Sequence, residues 1–452
     1  MAHTTDDNGS PCTSPPSDDA GSSVPSRVAQ WGFGLVLYVV FDGFSHGMLD
    51  ARLTPLASLT LLATAAALAL ALFAGCGRRL LTPPGARTTG IILLAFVSYT
   101  ALSAVLGGGV FDLGFVKNAM LFAAIVALTD TPRRLDALLL TAAGAGMAQA
   151  GLGIGQVIVT QGVPSSGVTG LLPNHVQYAM YLLLSILALA PFVHRAHGVR
   201  RLALLAAEAL MITMLVASLA RGVLAVSIVC AAVWLLASLR SRRSRLLAGA
   251  GMAATASAAL MASDRLRTLL QVPAALGDPE RLDALLSGRL PLLLAAWNMW
   301  LAHPLTGVGY GRYPLMWAEY APTEIGRRSI RELAFAAHST YLQIAAEMGA
   351  IGLGLYLALI GSGLRDGLRA RSSMARRGDR VGVLAATAIL VALLAIALHG
   401  ILDNTGWHDR VLYVLLAASV VVRTHTADDG PEVATPGRLR TDDRPETAPP
   451  NA

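Results

Sequence analysis

Leu333 to Gly354 reads LAFAAHSTYLQIAAEMGAIGLG. It closes the one long polar segment of a hydrophobic chain and opens an apolar run suited to a bilayer. His338 stands at that junction, with Ser339, Gln343 and Glu347 behind it. An imidazole, an amide and a carboxylate entering hydrocarbon are costly, so residues of this kind mark function.

The rest of the chain supports the membrane reading. Its 452 residues are 54% hydrophobic and 14% charged, with a mean hydropathy of +0.57, whereas soluble domains carry about 25% charged residues. The net charge of +7 would also suit a nucleic-acid binder. Here the basic residues fall in short clusters between apolar runs, which is the pattern of membrane topology, so no nucleic-acid partner is expected. Cys12, Cys76 and Cys230 show no metal-ligand spacing. Residues 1–27 and 424–452, rich in Ser, Pro, Asp and Thr, read as disordered tails. The first is not a signal peptide, because no basic region precedes the first apolar run.

A bilayer core of ~30 Å takes about 20 apolar residues per helix. The spacing predicts an all-α polytopic membrane protein with twelve spans, near 30–49, 54–76, 88–107, 110–129, 135–160, 174–193, 202–219, 222–239, 246–262, 338–364, 382–402 and 408–423. Nine spans thus fall within 28–262, and three within 338–423. Arginines cluster in Arg78–Arg87, Asp130–Arg134, His194–Arg201, Arg240–Arg245 and Arg365–Arg380, and are nearly absent from Leu106–Val110, Gly162–Pro173 and Leu402–Trp407. The positive-inside bias then places both termini in the cytoplasm.

One long connection, residues 263–337, falls on the opposite, periplasmic side. Connections of that length cross regardless of charge, so its arginines do not disturb the topology. Within it Asp278–Pro279–Glu280 reads as a helix start, with Asp as cap and Pro in the first position. Leu290–Ala302 reads as a second helix whose Trp297 and Trp300 suit the headgroup level. His303–Tyr313, HPLTGVGYGRY, is turn-rich, and its glycines follow no strand, so it is not a nucleotide loop. No Walker lysine, zinc pair or glycosidase-type acidic pair is present.

Arginine suits phosphate, since its planar fork binds two oxygens and keeps its charge. Arg221 lies in the tight turn between two spans, Arg265 just beyond a span, and Arg289 at the head of a loop helix. Together they suggest one outward-facing anion site, and snorkelling to lipid headgroups is the competing reading for each taken alone. Arg327, Arg328 and Arg331 read as a solvated charge run. His338, placed at the first turn of the tenth span, reads as a neutral proton acceptor, with capping or structure as its alternative. Gln343 and Glu347 pair one turn apart on a neighbouring face, so Glu347 does not orient His338 from within the helix. Lys117, Asn174, His175, His399, Asp403 and Asn404 are weaker candidates on the same side of the membrane. Lys117 is expected to add charge to a phosphate site or to pair with Asp42 or Asp112, and a structural hydrogen bond is the first expectation for the others.

Three blocks carry a resemblance. They are Ser287–Gly288–Arg289; Trp297 with HPLTGVGYG from His303 to Gly311; and HSTYLQ from His338 to Gln343 with Glu347 and Gly349. In type and spacing they resemble the signature of the O-antigen ligase and polymerase superfamily. Arg221–Gly222 is similar to that family's SRG turn, with Ala220 in place of the serine. The resemblance implies a GT-C-like fold with twelve spans and a long periplasmic loop between the ninth and tenth. It also implies a metal-independent, inverting glycosyltransferase of the bacterial inner membrane that needs no cofactor. The donor would be O-antigen on undecaprenyl pyrophosphate and the acceptor a sugar of lipid A–core. Arg221, Arg265 and Arg289 would hold the pyrophosphate and His338 would act as base. The shared blocks leave open an O-antigen polymerase and a protein O-oligosaccharyltransferase. A lipid-linked glycan transporter is the reading from a different class, and it predicts polar residues at mid-membrane where this sequence gathers them at one face.

Overall fold

A computed structural model describes residues 24–44, 58–238, most of 241–250, 271–322 with two gaps, 336–404 and 409–427. The regular elements among them are helices. In chain order these are α1 (Val24–Phe44), α2 (Leu59–Phe73), a 3-10 turn (Cys76–Leu80), α3 (Pro84–Gly107), α4 (Gly114–Leu128), α5 (Pro132–Val159), α6 (His175–Arg195), α7 (Gly198–Ala217) and α8 (Arg221–Ser238). After these come α9 (Pro279–Leu285), α10 (Leu290–Ala302), α11 (Tyr313–Tyr320), α12 (Thr340–Arg376), α13 (Arg380–Leu402) and α14 (Arg410–Ala427). Most of the expected ninth span, 246–262, lies outside the described residues, and so does Arg265.

Seven described helices are long and apolar enough to cross a bilayer. This is an all-α polytopic membrane protein. α2 and α4 have 15 residues each, about 22 Å at 1.5 Å per residue, which is short of a full crossing. The helix starts follow local chemistry. Asn174 accepts from the Gln177 N–H at 2.8 Å to cap α6, and Asp278 caps α9 ahead of Pro279 as the sequence indicates.

The arginine-rich segments meet one another at one end of the bundle. Asp130 takes Arg134 at 3.0 Å and Arg79 at 3.7 Å, and Arg195 forks onto Asp136 with two 2.9 Å bonds. Buried Asp366 of α12 pairs with Arg423 of α14 and accepts from Thr89 of α3 at 3.3 Å. The arginine-poor connections meet at the other end, where Val168 N–H reaches the Ala217 carbonyl at 3.1 Å and Thr340 N–H reaches that of Asp403 at 3.2 Å.

α12 departs from the sequence expectation in two ways. It begins at Thr340 rather than His338, and it continues through the arginine cluster to Arg376. Charge does not end a helix that has left the apolar layer. Its interior also breaks at Gly349, with φ 64° and ψ −164°, a region open in practice only to glycine. The break exposes helix carbonyls, and the His303–Tyr313 segment supplies donors. Val308 N–H bonds the Ala346 carbonyl and Gly309 N–H that of Glu347, each at 2.9 Å. In the other direction Ala350 N–H bonds the Pro304 carbonyl at 2.8 Å. The glycine-rich segment is therefore the hydrogen-bonding complement of a broken helix. α10 lays Leu292, Ala295, Ala296 and Met299 against α12 and α11, which fixes the loop on the bundle.

Candidate active site

Three tight turns and one helix end build the site, and each turn holds a side-chain-bearing residue in left-handed backbone. Leu219 (φ 55°) precedes Arg221, Ser287 (φ 60°) precedes Arg289, and His338 itself has φ 53°. Among the described residues only one other non-glycine residue, Gln161, shares this geometry. Such conformations cost on the order of 1–3 kcal/mol each and persist where the surroundings impose them.

Asp403 is the centre. It ends α13, and its main-chain carbonyl accepts both the N–H and the Oγ1–H of Thr340, at 3.2 and 3.1 Å. The end of α13 thus caps the start of α12, whose own cap residue Ser339 makes no side-chain cap bond. This docking brings the Asp403 carboxylate to His338. Oδ1 lies 3.2 Å from the imidazole Nδ1 and also accepts the Asn404 N–H at 2.7 Å. Oδ2 faces the Arg289 guanidinium at 3.6 Å, and Arg289 also donates to the Leu402 carbonyl at 3.3 Å. Burial pushes the Asp403 carboxyl up. The His338 bond and the charges of Arg289, His399 and His338 outweigh that and hold it down at about 2.

Arg221 opens α8 and donates from Nη2 to Ser287 Oγ at 2.8 Å. A side chain added at Gly222 would meet Leu402, 3.5 Å away. Arg221 and Arg289 therefore both flank the Leu402–Asp403 corner, although 68 positions separate them in the sequence. His338 is 6% exposed, while the Arg289 side chain is 28% exposed, so the arginines form the rim and the imidazole lies beneath it.

The other candidates spread around this corner. Asn174 is the cap of α6, and His175 begins that helix beside Gly167, which packs on the Ser218 carbonyl in the turn that carries Arg221. Gln343 and Glu347 bond one another at 2.8 Å within α12, as their spacing indicates. Lys117 donates to Thr60 of α2 at 3.5 Å. Asp42, one of its expected partners, takes Arg410 at 2.6 Å. Two residues matter more than the sequence suggests. His399 lies one turn below Asp403 and contributes to holding its charge, and Ser287 receives Arg221. Chain separation hides the Ser287–Arg221 contact, whereas His399 and Asp403 stand four residues apart at one helix end. Among the described residues no group of three His, Cys, Asp or Glu side chains is placed to hold a metal.

Residues 206–357 match the O-antigen ligase family. The match covers about a third of the chain. No curated protein matches the chain. The matched region runs from α7 to the part of α12 beyond its break, and so contains Arg221, Ser287, Arg289, His338, Gln343 and Glu347. It stops short of His399 and Asp403, which the fold returns to it. The family that this region matches comprises glycosyltransferase-like enzymes of glycan assembly.

Proposed function

We propose that the protein is an O-antigen ligase of the bacterial inner membrane. It moves O-antigen polysaccharide from undecaprenyl pyrophosphate to a sugar hydroxyl of lipid A–core at the periplasmic face, with both termini cytoplasmic. The observation that carries this reading is the Asp403 corner, where an imidazole and a guanidinium share one carboxylate.

With Nδ1–H donated to Asp403, Nε2 is the accepting nitrogen of His338. It takes the proton of the acceptor hydroxyl as that oxygen bonds to C1 of the donor sugar. The C1–O bond to the pyrophosphate breaks, and its electron pair leaves with the phosphate. Attack from the opposite face inverts C1. Asp403 steadies the imidazolium that forms. The pyrophosphate is a stable leaving group, so it needs charge screening more than a proton. Arg289 and Arg221 supply that screening in this reading, with Arg265 as a third arginine. The energy resides in the donor linkage, so no nucleotide is consumed.

Glycan analysis of a strain lacking the protein tests the assignment. Long chains on the lipid carrier beside bare lipid A–core are expected. Single repeat units on the core would instead identify a polymerase.

A further inference from the structure

Gln343 and Glu347 are 4% and 1% exposed, and both are hydrogen-bonded. The Ala337 N–H donates to Gln343 Oε1 at 2.7 Å, and Gln343 Nε2 donates to Glu347 Oε1 at 2.8 Å. That same carboxylate oxygen accepts the Tyr313 N–H at 3.1 Å, and the backbone of Gly311 also bonds the carboxylate. The two ends of the amide are thereby told apart, since only its oxygen serves an N–H and only its nitrogen serves a carboxylate.

Ala337 immediately precedes His338, whose left-handed φ of 53° is held from both sides. On one side Ala337 is pinned by Gln343; on the other Thr340 is pinned by the Asp403 carbonyl at 3.2 Å. Released on either side, His338 would relax to an ordinary backbone region and carry its ring away from Asp403.

We propose that Gln343, clamped by Glu347, is the positioning residue that aims His338, and that Glu347 ties this aim to the His303–Tyr313 segment. The inference rests on the reading of His338 as base. It assigns these two side chains a task that neither contact with substrate nor simple helix packing describes. It also gives the broken helix a purpose. The break at Gly349 lets the glycine-rich segment lie close enough for Tyr313 to reach Glu347 from the loop side.

The test uses the purified full-length protein in lipid nanodiscs. Labelling of each histidine by diethyl pyrocarbonate is followed by mass spectrometry, with exposed His197, at the start of α7, as the internal reference. Gln343→Ala and Glu347→Ala are expected to label severalfold faster at His338 and unchanged at His197. Their kcat should fall on the order of tenfold to a hundredfold with KM for the lipid-linked donor unchanged, the mark of misplacement rather than lost binding. Glu347→Gln keeps an oxygen acceptor for Tyr313 and should stay near wild type. If the alanine variants do not fold, Gln343→Glu serves in their place. It keeps the acceptor for Ala337, loses the donor to Glu347, and should label faster than wild type at His338. Unchanged His338 labelling in the variants that fold overturns the inference. Faster labelling in a protein whose His338→Ala variant still transfers glycan supports the positioning relay and removes the function it was proposed to serve.

Discussion

Asp403 follows His338 by 65 residues, yet its carboxylate lies 3.2 Å from the imidazole Nδ1. The contact is a by-product of helix capping. α13 ends where α12 begins, the Asp403 carbonyl satisfies the first donors of α12, and its side chain is left facing His338, two residues before the helix. One residue therefore fixes both the helix start and the tautomer of the candidate base.

Asp403→Asn tests the chemical half of that role. The amide is nearly isosteric but carries no charge to stabilise an imidazolium. Glycan transfer is expected to fall on the order of a hundredfold or more. The carboxyl titrates at about 2 in the folded protein, so it is ionised at every working pH. Transfer that survives the substitution unchanged would remove Asp403 from the proton pathway.

The same carboxyl makes a prediction for stability. Its folded value lies below the ordinary 3.8, so its contribution is present above about pH 4 and is lost as pH falls towards 2. The gap corresponds to roughly 2 kcal/mol. Acid unfolding of detergent-solubilised wild type should therefore steepen in that window, and Asp403→Asn should flatten it.

Ser287 offers a test of the rim. It holds Arg221 through a 2.8 Å bond and has no place in the proposed chemistry. Ser287→Ala should raise KM for the lipid-linked donor severalfold and leave kcat close to wild type, because the arginine keeps its charge but loses its fixed orientation. Arg221→Lys should do more, since a single ammonium cannot fork onto two phosphate oxygens. Equal donor affinity in all three proteins would place Arg221 outside the donor site.

Much of this corner is visible in the primary structure and part of it is hidden, for physical reasons. Arg221, Arg289 and His338 stand out because charged or titratable groups at span ends are costly. The partners that join them are set by how helix ends dock, which residue spacing does not encode. The role of His338 also turns on two residues of helix boundary. Started at His338, the helix would put the imidazole in its first turn; started at Thr340, it leaves His338 in left-handed backbone outside the helix. Nothing in the residue type announces that conformation. The break at Gly349 did leave a signal, a glycine within an apolar helix beside a glutamate. That signal is legible only together with the HPLTGVGYG segment, whose N–H groups bond the carbonyls freed at the break.

At the opposite end, Asp366 is fully buried and holds Arg423, with Arg365 at 3.5 Å. Removing one member strands the other. Asp366→Ala should destabilise the protein by about 3 kcal/mol or more, whereas Asp366→Leu with Arg423→Met should recover much of that loss. Transfer per folded molecule should not change in either, because the pair lies at the far end of the bundle from His338. A thermal melt in detergent separates the two effects. Lost turnover in protein that melts like wild type would couple this end to chemistry.

Gly349 gives the sharpest contrast between neighbouring positions. A Cβ there would lie 2.2 Å from the carbonyl carbon and oxygen of Leu305, and the backbone has φ 64°. Both partners are main chain, so neither can swing aside. Gly349→Ala must either push away the His303–Tyr313 segment or rebuild the helix through the break. In both cases the bonds from Val308 and Gly309 to α12 are lost and Tyr313 leaves Glu347. The strain alone amounts to ~1–3 kcal/mol before the clash is added, so the melting temperature should drop by many degrees and transfer should disappear. Gly354 lies five residues on, with open space around its would-be Cβ. Gly354→Ala should be neutral or stabilising by up to ~1 kcal/mol, since it replaces a poor helix former with a good one. Comparable behaviour of the two variants would mean that α12 runs through position 349 as an ordinary helix, without the pairing to Val308 and Gly309.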